Sequence, residues 1–272
     1  KAFNAYRPAV KNQSLIPALP YDVMNSDEAR EMVKGNPLSF LHVDKAEVDL
    51  DKDVDLYSPL VYQKARENLL WLENTGALIR DEEPCFYIYK QIMNGREQVG
   101  IVGCASIDDY KNNVIKKHEY TLAKKEQDRI NHVNTCDANT GPIFLTYRNS
   151  DAINDMVAEW MSNHSPVYDF VNQTVWVIDN ASVISDIQKE FTDINSLYIA
   201  DGHHRCASAV KVGEMRRSEN PSYNGNEEFN YFLAIAFPDN DLEIMDYNRV
   251  VKDLNGMSEA EFIDAVKVNF DI

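Results

Sequence analysis

A mixed α+β fold, with a mixed or antiparallel sheet flanked by helices, is predicted by three features of this 272-residue sequence. Asn94-Gly95 separates the apolar runs 85–89 and 99–104, and such a two-residue loop signals an antiparallel hairpin because both positions need positive φ. Residues 142–200 alternate in pattern between strand, helix, hairpin, helix and strand, which suits strands mixed with helices better than a doubly wound sheet. Finally, Leu197-Tyr198-Ile199-Ala200 runs into Asp201-Gly202 and then into an alanine-rich segment opened by His203-His204-Arg205. That is a strand, a tight turn and a helix start.

Taken in order, Pro8, Pro17 and Pro20 exclude a helix over 1–24 and predict extended segments joined by turns, with Asp22 in a rigid turn. Ser26 caps a predicted helix over 26–33, stopped by Gly35-Asn36-Pro37. Residues 38–43 read as a strand. The carboxylates that follow (Asp44, Glu47, Asp49, Asp51, Asp53, Asp55) read as a solvated loop, because the glycine and terminal glutamate of a calcium loop are missing. Ala65, Leu69 and Leu72 mark a helix over 62–72, closed by Gly76. Further on come a strand over 142–147, a helix over 151–161 with Ile153, Met156, Val157 and Trp160 on one face, and a hairpin of 167–171 with 174–178. Asn180 caps a helix to 191, and 229–237 and 242–247 read as two strands joined by Asp239-Asn240-Asp241.

Composition narrows the function classes. Forty-four acidic against 27 basic residues give a net charge of −17, which repels a duplex and argues against general nucleic-acid binding. No run approaches the ~18 apolar residues of a membrane span, and the N-terminus lacks a charged-then-apolar signal pattern, so a cytoplasmic protein without membrane contact is expected. Cys85, Cys104, Cys136 and Cys206 show no C-x-x-C spacing and are expected to be reduced. Residues 1–272 are expected to form one domain, subdivided if anywhere near 137–141. The start at Lys1 and the stop at Ile272 directly after an apolar-periodic segment suggest the N-terminal part of a longer protein. A homo-oligomer is left open.

The chemistry-bearing residues gather in three places. At the strand-turn-helix, the first amides of a helix attract anions. There Gly202 allows close backbone approach, His203 and His204 add donors, and Arg205 offers a fork to phosphate. Asp201 can hold a divalent metal or take a proton. In 116–131, Lys116, Lys117, Lys124, Lys125 and Arg129 form a basic excess inside an acidic chain, and His118 with Glu119 makes an acid/base pair, or Glu119 binds magnesium. Asn248-Arg249 follows the strand expected over 242–247 and would grip a phosphate or base opposite Arg205. No Walker-type loop is present.

Asp201-Gly202-His203-x-Arg205 resembles the motif of the ParB/sulfiredoxin-like superfamily, and most closely that of its free serine kinases. With Pro20-Tyr21-Asp22-Val23, His118-Glu119-x-Thr121, Asp128-Arg129, Gly141-Pro142-Ile143-Phe144 and Tyr247-Asn248-Arg249-Val250-Val251, the whole chain is similar to the bacterial family called domain of unknown function 1015. The resemblance implies a nucleotide-binding core and a phosphotransferase acting on a small polar hydroxyl compound such as free serine. A nucleoside di- or triphosphate and Mg²⁺ would serve as cofactors. It implies Asp22 as the base, although the serine kinases carry a glutamate there. Asp201 and Glu119 would hold the metal; Gly202, His203, His204, Arg205, Lys124, Arg129, Asn248 and Arg249 would hold the phosphates or the rest of the nucleotide. A nucleotide-driven regulatory switch of the ParB kind is the alternative. Sulfiredoxin chemistry requires a cysteine where this chain has His203.

Overall fold

Three prolines keep the first residues out of helix, and the chain instead forms a short strand, β1 (Tyr6–Pro8), and 3₁₀ turns at Val10–Asn12 and Tyr21–Val23. In this computed structural model, residues 1–271 apart from Tyr247 and Arg249 are described. Helix α1 (Ser26–Met32) is capped by Asn25 rather than Ser26: Asn25 accepts from the Glu28 N–H, and Glu28 reaches back to the Asn25 N–H. Ser26 is thereby released to donate to Glu47, 2.8 Å away.

The apolar run 38–43 is not a strand. It turns into α2 (Leu41–Asp44), which places Val43 against Val61, Ala65, Leu69 and Leu72 of α3 (Pro59–Asn74). A six-residue apolar run does not distinguish a buried helix from a buried strand, and here packing on α3 decides. Nor is the acidic run wholly solvated. Glu47 is buried in the 3₁₀ turn Ala46–Asp49, where it takes Lys45 at 3.1 Å, and Asp44 is half-buried. Ser58 caps α3 with Pro59 in the first helical position, and Gly76 at φ 68° follows its end.

β2 (Leu78–Arg80) pairs antiparallel with β1. Asn94 at φ 53° and Gly95 at φ 80° then join β3 (Phe86–Met93) to β4 (Arg96–Ser106) as the sequence predicts. There follow α4 (Ile107–Lys111), the two-residue β5 (Ile115–Lys116), α5 (Ala123–Cys136), β6 (Ile143–Tyr147) and α6 (Asp151–Asn163). Next come the hairpin β7 (Tyr168–Phe170) and β8 (Gln173–Ile178), α7 (Ala181–Thr192) capped by Asn180, β9 (Leu197–Asp201), α8 (His203–Glu219) and β10 (Tyr231–Pro238). All lie in a compact unit, Lys1–Leu242; a second unit, Glu243–Ile272, holds α9 (Glu259–Lys267), capped by Ser258 and Glu261.

The larger sheet has the order β5-β9-β6-β10-β4-β3-β8-β7. β6 runs parallel to β10 and β5 to β9, and the other pairs are antiparallel. This is an open, mixed-orientation sheet with flanking helices. The expected strand over 242–247 is absent from the described residues of that segment. β10 already pairs with β4 on one side and β6 on the other, so a returning hairpin strand has no vacant edge.

Ile88 aligns with Ile101, Ala236 with Ile101 and Leu145, and Leu145 with Ile199. Aligned residues point to the same side, so one face of the sheet carries two apolar clusters. The first takes Ile153, Val157 and Trp160 of α6 and Ile187 of α7; the second takes Cys206, Ala209 and Val210 of α8. A third cluster joins α2 and α3 to Cys136 of α5.

Where α8 meets the chain leading into β10 there is no room for a methyl group. A Cβ on Gly213 would stand 2.7 Å from Ile107 Cδ1 and would strike the Phe229 carbonyl. Gly213→Ala is therefore expected to destabilise the fold by about 1–3 kcal/mol in urea titration. A cost below ~0.5 kcal/mol would show that the segment yields freely.

Candidate functional site

Gly202 at φ 92° lets β9 stop and α8 begin within one residue. Arg205, in the first turn of α8, consequently lies beside the strand end, with Nη2 2.7 Å from Asp201 Oδ2. A Cβ on Gly202 or Gly141 would come within 3.2 or 3.3 Å of the Arg205 guanidinium nitrogens, so both glycines give this side chain its passage. The β6–β9 pairing shifts register between Phe144 and Leu145, an irregularity of the kind that re-aims chain ends beside sites.

Helix α5 supplies the facing side chains. Arg129 and His132 are three residues apart and share one side of the helix. Arg129 is buried; its Nε and Nη2 lie 2.9 and 2.8 Å from Asp128 Oδ2, and its guanidinium stacks 4.2 Å above the Tyr21 ring. Asp128 is held in turn by the Tyr62 hydroxyl at 2.9 Å. His132 is only 3% exposed. Its Nε2 is 3.0 Å from the Val43 carbonyl, which can only accept, so Nε2 carries the proton and Nδ1 presents a lone pair. That Nδ1 is buried and has no hydrogen-bond partner among the described residues.

Asp44 follows Val43 directly and shares the wall of one cavity with Thr140. Burial pushes its carboxyl pKa up, against the opposing pull of His132, Arg129 and Arg205. Burial pushes His132 down, and Arg129 acts in the same direction. Tyr21, Asp44, Arg129, His132, Thr140 and Arg205 line one cavity of about 180 Å³. Two arginines, a carboxyl-bearing side chain and a histidine thus line one small cavity.

The other predicted residues that are described do not line that cavity. Asp22 is exposed in its 3₁₀ turn, and its neighbour Tyr21 lines the wall instead. His203 is buried; its Nε2 accepts from the His118 N–H at 3.4 Å, and His118 sits edge-on to it at 4.4 Å. Glu119 Oε2 is 3.6 Å from His203 Nδ1. His204 Nε2 accepts from the Leu122 N–H at 3.0 Å. Both rings are therefore acceptors toward the backbone that precedes α5, and they tie it to the start of α8. Burial, with His118 adding to it, lowers the pKa of His203 and favours this neutral form. Lys124 lies over the Tyr57 ring at 4.4 Å. Asn248 is exposed in the second unit, and Arg249 lies outside the described residues. Among the described residues no group of three or more His, Cys, Asp or Glu side chains could hold a metal ion.

Asp44, His132, Tyr21 and Thr140 were not singled out from the sequence as site residues. His132 carried a usable signal, since it follows Arg129 by three residues, the spacing that puts two side chains on one side of a helix. Asp44 carried none that separated it from the five acids following it.

With this geometry described, comparison with known proteins adds one result. The family model described as "Protein of unknown function (DUF1015)" matches residues 1–272. The chain belongs to that family. None of the curated proteins and none of the solved structures compared with it matches. No helix among the described residues of this DUF1015 chain is long and apolar enough to cross a membrane.

Two outcomes follow from the geometry of this DUF1015 site. A carboxyl whose folded pKa lies above its unfolded value imposes no penalty below pH ~4, where both states are protonated, and its full penalty above the folded value. Asp44→Asn should therefore raise the melting temperature at pH 8 and lose that advantage by pH ~4; a variant less stable at pH 8 would contradict a raised pKa. His204→Ala removes the acceptor of the Leu122 N–H, so trypsin should cut faster at Lys117, Lys124 or Lys125 than in the parent. Equal cutting rates would mean that this bond does not restrain the segment.

Proposed function

We propose that this protein is a cytoplasmic, nucleotide-dependent phosphotransferase, built on a ParB/sulfiredoxin-like core, that acts on a small hydroxyl-bearing metabolite of the free-serine type. The observation that carries the reading is the convergence of Arg129 and Arg205 on the cavity that also holds Asp44 and His132. Phosphoryl transfer spreads negative charge over the equatorial oxygens, and it needs cations there and one group to take the acceptor proton.

Nη1 of Arg129 and Nη1 of Arg205 are not engaged by Asp128 or Asp201, and these nitrogens grip the phosphoryl oxygens. Asp44 takes the hydroxyl proton as that oxygen bonds to phosphorus; the bond to the leaving nucleoside phosphate breaks, and its electron pair departs with that group. A carboxylate whose pKa is raised is the better proton acceptor near neutral pH. His132 Nδ1 accepts from a second donor on the acceptor molecule, an ammonium or another hydroxyl. Asp22, the base expected from the resemblance, lies outside the cavity, and Asp44 replaces it in this proposal.

Bound Mg²⁺ would neutralise phosphate oxygens. Asp201 would offer it Oδ1, which has no partner among the described residues, and phosphates and water would fill the rest of a shell that needs few protein oxygens. Neither Asp201 nor Glu119 lines the cavity; Asp201 adjoins it through its pairing with Arg205, whereas Glu119 stands beside His203.

Calorimetric titration with ATP and ADP tests the reading. Arg205→Ala should weaken binding by about 10–100-fold, the equivalent of losing ~1.5–3 kcal/mol of charged hydrogen bonding. Asp44→Asn should keep nucleotide affinity within about threefold and lower phosphoryl transfer to small hydroxyl compounds by about 10²–10⁴-fold. Nucleotide binding that no acceptor ever consumes would favour the regulatory switch instead, and unaltered binding by Arg205→Ala would remove the phosphates from this cavity.

A further inference from the structure

A cavity of about 180 Å³ is too small for a whole nucleotide, since small-molecule sites usually run to about 300–1,000 Å³. A second cavity of about 480 Å³ adjoins it, and the two share Phe40, Val133, Asn139 and Thr140 as walls. One side of α8 serves both: Arg205 lines the smaller, and Ala209, Val212 and Arg216 line the larger. From Arg205 to Arg216 the helix axis runs about 16 Å.

The larger cavity differs in chemistry from the smaller. Its cations, Arg66, Arg80 and Arg216, are matched in number by Glu73, Asp137 and Glu228. Arg216 is paired with Asp137, Arg66 donates to the Cys136 carbonyl, and Arg80 lies over the Tyr6 ring at 5.8 Å. Phe3, Phe40, Phe229 and Tyr231 add aromatic wall. A balanced, aromatic-lined space suits a flat uncharged ring system and gives no preference to a second anion.

Resting on the phosphotransferase reading above, we propose that the larger cavity takes the nucleoside end of the nucleotide, with its phosphates passing between Val133 and Asn139 to Arg129 and Arg205. The nucleoside is then held by α5, α8 and the N-terminal segment, and Val133 and Asn139 form the gate between its two ends.

Val133→Trp puts bulk into that gate. Asn139→Trp does the same from an exposed position, where the fold is not at risk. Calorimetric titration of the parent and both variants with ATP and with inorganic tripolyphosphate reads the two ends separately. The expected result is a loss of about tenfold or more in ATP affinity, with tripolyphosphate changed by less than about twofold. ATP affinity that stays unchanged in both variants overturns the nucleoside site while leaving phosphate binding intact. Equal losses for ATP and tripolyphosphate overturn it as well, because the added bulk would then be acting on the phosphate end. If the parent binds neither compound, the phosphotransferase reading fails, and the nucleoside site fails with it.

Discussion

The docking of α8 onto α5 sets the distance between the two arginines, and the site exists only while that contact holds. Ser208 Oγ lies 3.0 Å from the Glu126 carbonyl, and the buried Glu126 carboxylate takes Lys211 of α8 and the Thr121 hydroxyl. His203 and His204 extend the same junction to the chain before α5. Neutral acceptor rings suit this task. A protonated ring would lose its lone pair, and two backbone N–H groups would lose their acceptors. The histidines that attract notice in the sequence thus position the arginine beside them, by holding the two helices that carry Arg129 and Arg205.

Behind that junction the protein keeps polar groups in a form that folding alone does not favour. Asp44 is held where burial disfavours its charge, and His132 keeps a buried lone pair with no donor among the described residues. Each arrangement costs stability, and a chain selected only for folding would relieve it with an apolar side chain or a partner. Two such groups in the same small cavity as Arg129 and Arg205, whose Nη1 atoms have no partner among the described residues, make a concentrated departure from a satisfied interior. That is the physical ground on which the cavity, rather than the more conspicuous acidic and basic runs, is taken as the working part of the molecule.

Much of the fold was legible because local chemistry and tertiary packing agree. Asn94-Gly95 demands two positive φ angles and has them; Asn180 caps α7; the apolar face of α6 is buried on the sheet. The misreadings came where tertiary context decides. Residues 38–43 satisfy strand and helix patterns equally, and the surface of α3 selects the helix. Residues 242–247 look like a hairpin return, but β10 has no free edge, a fact about sheet order that no local window contains. In the site, Arg129 and Arg205 were visible as cations near motifs. Asp44 was hidden among similar acids because what distinguishes it is its place in a cavity with Arg129, His132 and Arg205, all supplied by distant parts of the chain.

The strand order has a further consequence. The two outer members of the eight-stranded sheet are also its shortest, two residues in β5 and three in β7. An outer strand exposes unpaired N–H and C=O groups that another molecule can join, and the danger grows with the length of the row. Here the long strands β3, β4 and β10 are enclosed, and each outer row is too brief to template a neighbour. Short outer strands shorten the row of open backbone groups that another sheet could join, so the sheet order itself weakens edge-to-edge stacking.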